Sequence, residues 1–127
     1  MVGMNDTPAQ PITVAYFYEI AWGYHDEWLD LFLRNHWPIL REQLHAGRFT
    51  DVRLYTPRFH GDGDAAWQVM VTLTYRDWAA MESHGDEAIK LRLYPDQELF
   101  KEEEQRRFEL VEGHWDVPLE EHPLPNE

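Results

Sequence analysis

Ile12 to Ile20 reads ITVAYFYEI, nine residues dominated by β-branched and aromatic side chains, the kind that suit a pleated, packed surface. Alternation puts Ile12, Val14, Tyr16 and Tyr18 on one face and Thr13, Ala15, Phe17 and Glu19 on the other. Both sets are largely apolar, so the stretch is expected to be a strand with both faces buried or nearly so. The next segment supplies one cover. Trp22-Gly23 breaks the strand, and Asp26 to Leu44, DEWLDLFLRNHWPILREQL, repeats apolar residues at helical spacing. At about 100° per residue, Trp28, Leu29, Phe32, Leu33, Ile39, Leu40 and Leu44 share one arc. Asp30, Arg34, Arg41 and His45 fall opposite. Asp26 and Glu27 suit the positive end of the helix, and Gly47 suits its left-handed stop. His36 lies inside the apolar arc, where a titratable ring needs a hydrogen bond, a ligand or a pocket. Pro38 removes a backbone donor and crowds the Arg34 carbonyl, so a kink is expected beside it.

Phe49 to Tyr55, FTDVRLY, reads as a second strand, and Trp67 to Tyr75, WQVMVTLTY, as the clearest one, with Trp67, Val69, Val71, Leu73 and Tyr75 on a common face. His60 to Asp64, HGDGD, joins them. It lacks the later ligands and closing Glu of a calcium loop and reads as a hairpin turn. Short helices are expected over Arg76 to Met81 and Asp86 to Leu93, then a longer one starting at Pro95 in its first position. Lys101 to Arg107, KEEEQRR, has no apolar residue and reads as a solvated face, with Arg106 and Arg107 pairing with the Glu102 to Glu104 run. Phe108 to Pro118, FELVEGHWDVP, fits a fourth strand better than a helix running on toward Gly113. The expected organisation is a disordered segment 1–10, one domain over 11–118, and an arm or disordered tail over 119–127.

Composition narrows the partners. With 24 acidic and 11 basic side chains the formal charge is -13, which excludes phosphate-dense partners: nucleic acid and anionic membrane surfaces need clustered Lys and Arg. Without cysteine, disulfides, thiolate catalysis and cysteine-bound metals are excluded. No apolar run reaches spanning length, and the N-terminus has no basic start or apolar core, so a cytoplasmic location is expected. An aromatic content of 14% fits a pocket for a flat ligand or a large buried interface.

Strand, helix, strand, strand, helix, strand is the order of an α+β ferredoxin-like split βαβ fold with a four-stranded antiparallel sheet. Helices cover one face, and Phe17, Met70 and Thr72 are too apolar to leave the other open. With this order, the glycine turn WGYHDEW at Trp22 to Trp28 and the length of the first helix, the span from Ile12 to about Val117 resembles the dimeric α/β-barrel superfamily. Within it, the chain is most similar to the antibiotic-biosynthesis monooxygenase and ethyl tert-butyl ether degradation groups. NHWPIL at Asn35 to Leu40 and LYPDQELFKEEEQRRFE at Leu93 to Glu109 are similar to strings in uncharacterised bacterial members. The resemblance implies a homodimer closed through the open sheet face, and a small or flat organic substrate between sheet and helices. Cofactor-free oxygenases of the group use an Asn, a Trp and a polar or His residue near the substrate. Haem-degrading members use an Asn on the first strand, a sheet Trp and a helix His; this first strand has no Asn.

The candidate catalytic residues are therefore His36, as acid or base, and Tyr18. Tyr16, Trp67, Asn35 and His114 are the candidate substrate contacts, with Asn35 at the pocket rim or in solvent and His114 sharing a strand face with Asp116. The bland alternative for His36 is a core ring bonded to a tyrosine or to the carbonyl that Pro38 frees. No HExxH or comparable ligand spacing occurs, so neither metal nor tightly bound cofactor is expected. The functional expectation is a dimeric protein acting on a small, partly aromatic molecule, as a cofactor-free monooxygenase or isomerase-like enzyme. The alternatives are a non-catalytic ligand- or partner-binding module and, third, a haem-binding protein.

Overall fold

The structure, a computed structural model, describes residues 10–58 and 66–126. The expected disorder of the first nine residues and the HGDGD turn lie outside them. Strand β1 (Ile12–Ile20) leads through the Trp22-Gly23 turn into α1 (His25–Asn35) and α2 (Trp37–His45), followed by β2 (Phe49–Tyr55) and β3 (Val69–Tyr75). Then come α3 (Trp78–Glu82), α4 (Asp86–Leu93), α5 (Gln97–Glu109) and β4 (Val111–Leu119). The strands form one antiparallel sheet in the order β2-β3-β1-β4. This is the four-stranded ferredoxin-like arrangement, with β1 inside the sheet, as its two apolar faces require.

The long helix breaks at His36, whose φ of -113° departs from helical geometry. Pro38 has no N–H for the Arg34 carbonyl. The Tyr94 hydroxyl donates to that carbonyl instead, at 2.9 Å. Further on, Gly47, at φ +88°, ends α2 with Arg48 N–H donating to Gln43 O and Gly47 N–H to Leu44 O, a paired closure that needs a left-handed residue.

Val14, Ile20, Val69, Val71, Leu73 and Tyr75 on the sheet and Trp28, Phe32 and Leu40 on the helices form the core. The buried arc of α1 is rotated from the expected one: Leu31 and Asn35 are buried, whereas Leu33 is half exposed. The cause is α5, which packs on α1 from the side and adds a second cover that the sheet-facing arc does not anticipate.

Two other elements differ from expectation. The helix α5 begins after Asp96, whose Oδ1 caps Leu99 N–H at 3.0 Å, so Pro95 precedes the cap and is not the first helical residue. It then runs through Phe108 and Glu109, and the fourth strand starts only at Val111 and reaches Leu119. Nor is KEEEQRR wholly solvated. Arg107 is 4% exposed, bonded to Glu104 at 3.0 Å, with its guanidinium 6.0 Å from the Trp28 ring centre. Its stem packs inward while the charge keeps a carboxylate partner. Arg106 pairs with Glu27 on α1, at 2.7 Å and 3.0 Å, and not with the Glu102 to Glu104 run.

The face away from the helices carries Thr13, Phe17, Met70, Thr72, Trp115 and Val117. Phe17 stacks on Trp115 with ring centres 5.5 Å apart, and the Thr13 and Thr74 hydroxyls share a hydrogen bond of 2.9 Å. On this face Phe17, Met70 and Thr72 are half-buried and Trp115 and Val117 exposed, and among the described residues no helix is long and apolar enough to cross a membrane.

Candidate functional site

Between the helix pair and the sheet lies a cavity of about 250 Å³. This is slightly below the roughly 300 Å³ at which typical ligand sites begin, and is room for a molecule of one or two fused rings. The strands set its floor. Tyr16 and Tyr18 are two residues apart on β1 and project to the helix side. Val71, Leu73 and Tyr75 do the same from β3, and His114 from β4. Phe32, His36, Ile39, Leu40 and Gln43 form the roof, and Arg48 and Asp86 complete the wall.

His36 reaches this space because the kink ends α1 just there. Its ring tilts against Phe32, with centres 5.2 Å apart. Burial is the main reason its pKa falls to about 3, with the positive charges of Arg107 and Lys90 adding to the effect and Asp86 opposing it. The imidazole is neutral throughout the physiological range. Among the described residues neither a tyrosine nor the freed Arg34 carbonyl bonds it: Tyr94 holds that carbonyl, and the Tyr16 hydroxyl is shared with Tyr75 at 2.8 Å.

The tyrosines are held protonated. Burial raises the pKa of Tyr16, helped by its bond to Tyr75. Burial also raises that of Tyr18, against the pull of the Arg107 guanidinium beside it. A guanidinium only donates, so it leaves the Tyr18 proton for another acceptor. His114 stacks on Tyr18, with ring centres 4.3 Å apart. Its Nδ1 donates to the Phe17 carbonyl at 2.9 Å, and its Nε2 lies 3.3 Å from Asp116. A carbonyl can only accept, which places a proton on Nδ1.

His36, Tyr16, Tyr18 and His114 thus line one space, whereas two candidates do not. Asn35 is 2% exposed and donates to Glu103 on α5 at 3.2 Å; it is neither at the rim nor in solvent, because α5 covers that side of α1. Trp67 precedes β3 and lies edge-on to Phe17, 5.7 Å between ring centres, on the face away from the cavity. The alternation that begins at Val69 does not extend back to it. Sequence reading missed Arg48, Gln43 and Asp86. Arg48 follows a helix-stopping glycine, a position that reads as loop, and only the packing of α3 beside it turns it to the cavity wall. Among the described residues, no group of three or more His, Asp or Glu is disposed to hold a metal ion.

No protein-family model matches the chain, and no curated protein sequence matches it. Solved structures do. A mutant of the cofactor-independent oxygenase SnoaB from Streptomyces nogalater superposes with a TM-score of 0.54 at 13% identity, over 94% of this chain and all of that one. A dimeric ferredoxin-like protein of unknown function from Jannaschia gives 0.52 at 15% identity, over 87% and 99%. The hydroxynitrile lyase of Passiflora edulis gives 0.54 at 10% identity, over 93% and 100%. At such identities the likeness is one of fold, the ferredoxin-like architecture.

Proposed function

We propose that the chain is a homodimeric α/β-barrel protein that binds a small, partly aromatic molecule in the helix–sheet cavity and moves a proton on it with its own side chains, as a monooxygenase- or isomerase-like enzyme. The observation that carries this reading is His36: a neutral imidazole facing the cavity with no hydrogen bond to the described residues. Its ring nitrogens bond no described residue and it lines the open space, so a ligand's polar group can complete them.

The step assigned to His36 is removal of a proton from an acidic phenol or activated C–H. The substrate bond breaks, an N–H bond forms on the ring, and the electron pair stays on the substrate as phenolate or enolate. By itself the buried ring is a weak base because an imidazolium there is poorly solvated. The anion formed in the same step supplies the missing counter-charge, so the pair is stabilised together. Tyr18 donates its free proton toward the developing oxyanion. His114 holds the Tyr18 ring in place by stacking, and Tyr16 shapes the floor. An isomerase returns a proton at another carbon; an oxygenase gives the carbanion to dioxygen. The oxygenase and lyase of similar fold support an acid–base reading. The open sheet face with Phe17, Trp115 and Val117 supports a second copy as its cover, as the dimeric neighbour does.

The test is deuterium wash-in from deuterated water into β-tetralone, a bicyclic ketone with acidic benzylic hydrogens, followed by proton NMR. Wild-type protein should exchange it faster than buffer, and His36→Gln should lose the excess while still binding the ketone. Equal exchange by both proteins, with binding intact, would leave only the non-catalytic binding module.

A further inference from the structure

One wall of the cavity has an unbalanced charge. Arg48 spans the end of α2 and the start of β2, and its guanidinium lies 5.3 Å from the Tyr75 ring centre and 5.4 Å from that of Phe49. Nε donates to Ala80 O at 2.9 Å, and one terminal nitrogen, Nη2, donates to Met81 O at 3.3 Å and Ser83 O at 2.9 Å. These carbonyls fix the plane of the group but do not neutralise it. Among the described residues no carboxylate pairs with Arg48, and Nη1 has no acceptor. Asp86, the carboxylate on this cavity's wall, is bridged by Lys90 at 3.4 Å. Beside Arg48, the Tyr16 and Tyr75 hydroxyls share a single hydrogen bond. Two hydroxyls bonded to each other use one of their two protons, so one is left to donate outward whichever way the bond runs.

We infer that the cavity is built for an organic anion, a small aromatic carboxylate whose oxygens are held by Arg48 Nη1 and the spare proton of the Tyr16–Tyr75 pair, with its ring toward Phe32, Ile39 and Leu40. Arg48 and the Tyr16–Tyr75 pair both present donors, the Asp86 carboxylate is already engaged by Lys90, and a carboxylate is the common organic group that only accepts. The formal charge of -13 repels anions from the protein as a whole, so anion selectivity must arise from this local guanidinium. The subsite rests on the cavity being a ligand site, as proposed above, and adds the class of molecule it takes.

The experiment compares two probes of the same shape, α-naphthoate and its neutral amide, α-naphthamide, by isothermal titration at low ionic strength. Wild-type protein should bind the carboxylate about tenfold or more tightly than the amide, the scale of one charge-assisted contact. Arg48→Met keeps the apolar stem against Tyr75 and removes the charge, so it should bring the two affinities within about twofold by weakening only the carboxylate. In wild-type protein the Arg48 Nε–H signal should shift with α-naphthoate and stay fixed with α-naphthamide. That readout holds even if the variant folds poorly without its three carbonyl contacts. Equal binding of both probes, or an unmoved Arg48 signal, overturns the anion subsite and leaves the ligand cavity standing. Failure of both probes to bind overturns the cavity reading and the subsite with it.

Discussion

Replacing His36 by leucine should stabilise the protein increasingly as the solution is acidified. At pH 7.5 the neutral imidazole is half-buried and its nitrogens, bonded to no described residue, face the cavity, so exchanging it for an apolar side chain of similar size changes stability by less than about 1 kcal/mol. The pH dependence follows from linkage. Folded His36 takes up a proton only near its depressed value of about 3, whereas in the unfolded chain it does so near roughly 6.5. Between these values the unfolded state binds the extra proton, so this part of the stability is whole above pH ~6.5 and is lost as the pH falls toward the folded value. At pH 5 the loss is roughly 2 kcal/mol, one and a half pH units below the unfolded value at about 1.4 kcal/mol each. The variant lacks it. Urea unfolding of both proteins at pH 7.5 and pH 5 measures the difference directly, and the other titrating groups cancel in the comparison. A stability gap that stays constant with pH would refute the buried neutral ring. A variant less stable at pH 7.5 would show that the ring makes polar contacts the fold needs.

Three further outcomes follow from the packing. Tyr94→Phe should cost about 1 kcal/mol by orphaning the Arg34 carbonyl, and Pro38→Ala, which restores a helical N–H there, should recover most of it in the double variant; thermal or urea unfolding of the four proteins decides. Arg107→Leu should cost roughly 2–4 kcal/mol because it strands the Glu104 carboxylate, which is 19% exposed, and adding Glu104→Leu should regain much of that by the same measurement. On the open face, Val117→Arg should convert a dimer to a monomer on size-exclusion chromatography with light scattering, with the circular dichroism spectrum unchanged; a monomeric wild type would refute the two-sheet barrel.

Much of the fold is legible in the residues because its signals are local. ITVAYFYEI and VMVTLTY are rich in the β-branched and aromatic residues that favour strands, Gly47 sits where a left-handed stop is needed, and Pro38 marks the break before it is seen. The same local chemistry brought His36, Tyr16 and Tyr18 forward together, since periodicity aims helix and strand at one another. Local periodicity misplaced Asn35 and Arg107, whose burial depends on α5 crossing α1 some 68 residues farther along the chain. It misplaced Trp67, because strand alternation holds only while the backbone is paired, and pairing in β3 begins at Val69.

By itself the sequence determined the element types, their order, a formal charge of -13, and a titratable ring held on the inner side of a kinked helix. Tertiary structure alone decided that this ring has no hydrogen-bond partner among the described residues, that a cavity lies beside it, and that Arg48 stands on the wall of that cavity. The difference is physical. Periodicity fixes the direction of a side chain from its own backbone, whereas the space it enters, and the charges it meets there, are set by chain segments far away in sequence.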